Sequence, residues 1–104
     1  MYLQDYINLH SSGFKSLCES YHVRSIYAFG SSTQSSFDET SSDIDLVVDI
    51  DEHDPIKRGN NLLALWTKLE EFFLRKVDLL TPSSIKNPVL KTVIDQSKVL
   101  IYER

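Results

Sequence analysis

The amino-acid sequence predicts an α/β (α+β) fold, a small mixed sheet with helices packed against it, and two observations lead there. Segments with helical apolar spacing alternate with short β-branched runs, an order that packs helices on a sheet. The 104 residues are 41% apolar and include five Tyr, five Phe and one Trp. That is material for one hydrophobic core at the size of one domain, so residues 1–104 read as a single domain.

From Tyr2 to Tyr21 the apolar residues Leu3, Tyr6, Ile7, Phe14, Leu17, Cys18 and Tyr21 recur at helical spacing and predict one amphipathic helix. His10-Ser-Ser-Gly13 interrupts the stripe, where the helix shortens or bends. Val23–Phe29 is β-branched and aromatic and predicts a strand that ends at Gly30, followed by a turn and a short helix. Residues 34–42 are Ser-rich and read as a loop. Ile44–Ile50 is the clearest strand, and Asp51–Asp54 turns the chain before Pro55, a residue suited to a first helical turn.

Leu62, Leu65, Trp66, Leu69, Phe72 and Phe73 share a helical face, so Pro55 to about Leu74 is the main core helix. Lys76–Thr81 is a third strand, bounded by Pro82. Residues 83–96 form a final helix with Pro88 near its start or breaking it, and 99–102 a terminal strand.

The net charge of −4 and the scattered basic residues argue against general nucleic-acid binding. A lone Cys18 forms no internal disulfide, no run approaches the ~18 apolar residues of a membrane span, and the cytoplasm is the expected compartment.

In a strand, residues two apart share a face, so Asp43 and Asp45 project together while Ile44, Leu46 and Val48 point into the core. Paired carboxylates repel each other unless a proton or a cation intervenes, which makes them candidate ligands for a divalent metal; the alternative is a solvated strand end. Asp78 lies between Val77 and Leu79 in the third strand and can meet the first two acids across the sheet. Gly30, Ser31 and Ser32 follow the first strand, where a glycine lets backbone amides and hydroxyls approach phosphate oxygens. Three carboxylates beside such a turn are the inventory for a two-metal displacement.

Phe29-Gly-Ser31, Ser42-Asp-Ile-Asp-Leu-Val47 and Arg75-Lys-Val-Asp-Leu79 resemble, in order, the Gly-Ser, Asp-x-Asp and third-Asp motifs of the minimal nucleotidyltransferases of the polymerase-β-like superfamily. The resemblance implies that Asp43 and Asp45 hold two Mg²⁺ ions, that Asp78 holds the one activating the acceptor, and that Gly30, Ser31 and Ser32 bind the triphosphate of ATP. It also implies transfer of a nucleoside monophosphate, AMP, to a hydroxyl of a partner macromolecule. In that family small members pair with a HEPN-domain toxin as its antitoxin; a homo-oligomer is left open.

Thr33, Gln34 and Ser35 stand where relatives carry a small residue, a basic residue and a second Gly. The alternative reading is therefore a catalytically weak or inactive module that neutralises its partner by binding. Elsewhere, Asp49, Asp51, Glu52 and Asp54 read as a solvated turn, since Asp49 lies roughly 13 Å beyond Asp45 at strand rise. His10, His22 and His53 read as surface or capping residues and Cys18 as a buried hydrophobe. Leu63 and Leu74, at the margin of the core stripe, are candidates for an exposed apolar patch. Arg75 and Lys76 read as a solvated helix end.

Overall fold

The computed structural model describes residues 2–30 and 43–104. The short helix expected after Gly30, the loop at 34–42, and Ser31 and Ser32 lie outside the described residues. The elements are α1 (Tyr2–Leu9), α2 (Ser11–Ser20), β1 (Val23–Phe29), β2 (Ile44–Ile50), α3 (Pro55–Phe73), β3 (Val77–Leu80), a 3-10 turn (Pro82–Ser84), α4 (Pro88–Ser97) and β4 (Val99–Glu103). The strands form one mixed sheet in the order β3-β2-β1-β4, with β1 antiparallel to both β2 and β4 and β3 parallel to β2.

The single N-terminal helix expected from the apolar stripe is two helices. The chain breaks at His10, whose φ of −123° and ψ of 34° are not helical. Between Ile7 and Phe14 nothing apolar holds a straight helix to the core, and bending there lets both halves wrap the end of α3. Tyr6 donates a hydrogen bond to the Phe72 carbonyl at 2.7 Å, and Phe14 packs against both Phe72 and Phe73.

The strand expectations hold to within a residue or two. Ile44, Leu46 and Val48 are fully buried against α1, α2 and α3 together with Ile26, Leu65, Leu69 and Val77. The opposite face of the sheet carries a second, smaller cluster, in which Ile94 of α4 covers Phe29 and Val47 with Leu80 and Ile85 alongside. β2 is thus buried in part on both faces.

α3 begins as its sequence signals: the Asp54 side chain accepts from the amides of Ile56 and Lys57 ahead of Pro55 at the first turn. It ends at Leu74, which adopts a left-handed conformation with φ of 56°. The last helix starts later than the sequence suggested. Asn87 caps it through Val89 and Leu90 with Pro88 at the first turn, while Ser84 is used by the separate turn after β3. A proline disfavours helical geometry at the residue before it, so 83–87 cannot continue the helix.

Asp49 and Asp51 are more than a solvated turn. Arg24 bonds Asp49 at 3.1 Å and Asp51 at 2.8 Å, and Arg104 bonds Asp51 at 2.8 Å, tying the ends of β1, β2 and β4 together. No described helix is long and apolar enough to cross a membrane.

Candidate active site

Strand parity places Asp43 and Asp45 on the face opposite the large core, and the parallel register sets Asp45 directly beside Asp78. Adjacent strands lie about 4.8 Å apart, close enough for the two side chains to meet. They share a hydrogen bond, and burial together with the charges of Asp78 and Asp43 pushes the Asp45 carboxyl up to about 6 from 3.8. Two carboxyls can bond in this way only if one carries a proton.

Asp78 owes its position to α3. The Val77 amide donates to Glu70 Oε2 at 3.0 Å, and the Val77 carbonyl accepts from Trp66 Nε1 at 2.6 Å. One residue thus fixes the start of β3 from both sides and delivers the next side chain to the sheet face. Trp66 belongs to the core, as its spacing indicated, but it also registers this strand. Glu70 escaped the sequence reading, because a glutamate on a helix gives no local sign of a bond to a strand seven residues away.

Asp43 is drawn differently. Its Oδ2 lies 3.9 Å from Lys76 Nζ, so Lys76, read from the sequence as part of a solvated helix end, stands at the acidic site. Among the described residues no group of three or more His, Cys, Asp and Glu side chains is gathered tightly enough to hold a metal ion. Asp45 and Asp78 are brought together, and Asp43 is near enough to act on Asp45 electrostatically.

Gly30 completes the described part of the site. It has φ of 64°, and a Cβ there would lie 2.8 Å from Asp45 Oδ2. Backbone conformation and space both require glycine, and the Gly30 backbone lies directly against the Asp45 carboxylate. Ser31 and Ser32, expected to bind phosphate, lie outside the described residues.

The other residues singled out in the sequence fall away from this site. Cys18 is buried and its thiol is pushed up to about 12, chiefly by that burial, the state of an inert small hydrophobe. His10 stacks on Tyr6 at 4.7 Å, and Leu63 and Leu74 are exposed.

The described site is thus a pair of carboxylates on neighbouring parallel strands, faced by a glycine at the end of a third strand. The polymerase beta nucleotidyltransferase family matches residues 14–104, and the chain belongs to it. It is similar to two candidate protein adenylyltransferases of Methanocaldococcus jannaschii, each 39% identical over 87 residues, which are 84% of this chain and 85% of the relative. A third from the same organism is 40% identical over 88 residues, 85% of this chain and 84% of the relative.

Among solved structures, a mutant of the toxin–antitoxin MntA-HpeT superimposes with a TM-score of 0.65 at 22% identity, covering 89% of this chain and 73% of the other. A toxin–antitoxin crystallised with AMP-PNP gives 0.61 at 23% identity, covering 88% and 71%. The complex of a tri-AMPylated Shewanella oneidensis HEPN toxin with its MNT antitoxin gives 0.53 at 22% identity, covering 93% and 72%. These likenesses show the fold.

Proposed function

We propose that this protein transfers AMP from ATP to a hydroxyl of a partner protein, in the manner of a minimal nucleotidyltransferase antitoxin acting on a HEPN-domain toxin in the cytoplasm. The observation that carries the reading is the Asp45–Asp78 pair under Gly30. An acid pushed up to about 6 by burial and by the charges of Asp78 and Asp43 gives up its proton at neutral pH, where a bound cation would offset the repulsion between the carboxylates. The donors are all carboxylate oxygens, the set that Mg²⁺ prefers.

Asp43 and Asp45 would hold both Mg²⁺ ions, and Asp78 only the ion on the acceptor side. When bound, the ions supply activation of the attacking oxygen and stabilisation of the departing pyrophosphate. Gly30 lets the backbone approach the triphosphate, and Ser31 and Ser32 add donors. Lys76 pairs with Asp43 until a cation competes for that carboxylate. Support for the nucleotide and the acceptor comes from relatives named as adenylyltransferases and from fold neighbours crystallised with AMP-PNP and with an AMPylated HEPN toxin.

The departure from the family motif at Thr33-Gln-Ser35 favours a second reading, a module that neutralises the same partner by binding alone. Incubation with ATP labelled in its α-phosphate, Mg²⁺ and a HEPN-domain protein from the same genome separates the two. Label on that protein supports transfer. Neutralisation without label replaces it with the binding module.

A further inference from the structure

Strand register arranges the acidic face in two rungs. Asp45 and Asp78 are registered partners, and one step before the pair of Ile44 and Val77 stand Asp43 and Lys76. Residues two apart share a face, so all four side chains project to the same side, with the rungs roughly 7 Å apart. One rung is closed by the hydrogen bond between its carboxyls, the other by an ammonium 3.9 Å from Asp43 Oδ2.

The backbone and the side chain of Lys76 are held differently. The Lys76 carbonyl accepts from the Ile44 amide at 3.0 Å, and the next residue, Val77, is gripped by Trp66 and Glu70, so the backbone is fixed. The side chain is 70% exposed and that of Asp43 44%. An ion pair at this distance and exposure is weak. The ammonium therefore stays at the site by its tether more than by its partner, and a stronger cation takes Asp43 from it.

The fate of the displaced ammonium follows from charge. A divalent ion on the carboxylates repels it, and the phosphates of the nucleotide are the anions that arrive with the metal. Gly30 borders the acids from β1 and Lys76 from β3, so the face offers an anion close backbone approach on one side and an ammonium on the other. Lysine suits the exchange, being a compact charge with three donors on a flexible stem that needs no fixed partner geometry.

We propose that Lys76 is a phosphate-binding residue of the nucleotide site, held on Asp43 while the site is empty and passed to the phosphates when a divalent ion takes that carboxylate. The assignment rests on the transfer reading above and adds to it a residue that couples metal binding to nucleotide binding.

The test titrates Mn²⁺ alone, and then AMP-PNP at saturating Mg²⁺, into the full-length wild type, Lys76→Met and Lys68→Met. Lys68 pairs with Glu71 on α3, across the sheet from the acids, and controls for the loss of a positive charge. Lys76 is mostly exposed, so its variant should fold, and melts in chelator check this. Lys76→Met should bind Mn²⁺ alone about threefold or more tightly, because the tethered competitor is gone, and AMP-PNP about threefold or more weakly, because the phosphates lose a cation. Lys68→Met should leave both affinities within about twofold of wild type. A structural role for Lys76 would weaken both ligands together or leave both alone, and either result overturns the proposal. Tighter Mn²⁺ with unchanged AMP-PNP overturns it as well, since the ammonium would then pass to solvent; in each of these cases the nucleotide site itself stands. If wild type binds neither ligand, the transfer reading has failed and the proposal with it.

Discussion

Asp45 and Asp78 stand side by side on parallel neighbouring strands and share a hydrogen bond, which they can do only while one of them keeps a proton. The pair is a stored repulsion at neutral pH, and it sets the sign of the first expectation.

The Asp45 carboxyl titrates near 6 in the folded protein against 3.8 in its ordinary state. Between those values the folded state binds more protons than the unfolded one, so stability falls as pH rises through that window and stays lower above it. Asp45→Asn removes the effect. In chelator at pH 8 the variant should be more stable by about 1 kcal/mol, a figure discounted for a half-exposed site, and the gain should vanish below pH 4. Thermal melts of both proteins across pH 3.5–8 check this, and parallel curves would refute it.

The same substitution should remove activity. Each metal position depends on one or two carboxylates, and losing a shared ligand costs at least about 3 kcal/mol of transition-state stabilisation, roughly a hundredfold in rate. Asp78→Asn should behave alike. Label transfer to the HEPN-domain protein is the readout, with partner binding measured alongside and expected to be unchanged.

Two Gly→Ala changes should have opposite signs. At Gly30 the new methyl meets Asp45 Oδ2 at 2.8 Å on a backbone with φ of 64°, and the cost should be about 1–2 kcal/mol together with weaker triphosphate binding. At Gly59, within α3, a Cβ meets nothing within 4 Å, and better helix propensity should stabilise by up to about 1 kcal/mol. Denaturant midpoints of both variants decide it.

Trp66→Phe keeps most of the ring but removes the donor to the Val77 carbonyl, leaving a part-buried acceptor unpaired at a cost of about 1–2 kcal/mol. Glu70→Ala frees the Val77 amide by the same logic. Hydrogen exchange at Val77 should accelerate in both variants, and transfer should slow because Asp78 is the next residue. Unchanged exchange would show that α3 does not hold β3 in register.

Leu74 is 82% exposed and sits in the left-handed region at the end of α3. Leu74→Gly gives up little burial and relieves that strain, so the melting temperature should rise by a few degrees, consistent with about 1 kcal/mol.

The sequence by itself determined the strands and the parity of their side chains. Ile44, Leu46 and Val48 had to share a buried face, and Asp43 and Asp45 the other, because alternation along a strand is a local property of the backbone. The break at His10 was visible only as a gap in an apolar stripe; whether the helix bent or parted there depended on Phe72 and Phe73, more than sixty residues away in the sequence. Tertiary structure alone decided that Asp78 meets Asp45 and not one of its neighbours, since register between β2 and β3 is fixed by Trp66 and Glu70 gripping Val77. It also decided that Lys76 reaches Asp43 and that α4 crosses the acidic face with one residue buried. Periodicity reports which way a side chain points within its own element. The neighbour it meets is set by packing between elements distant along the chain, and no local pattern encodes that.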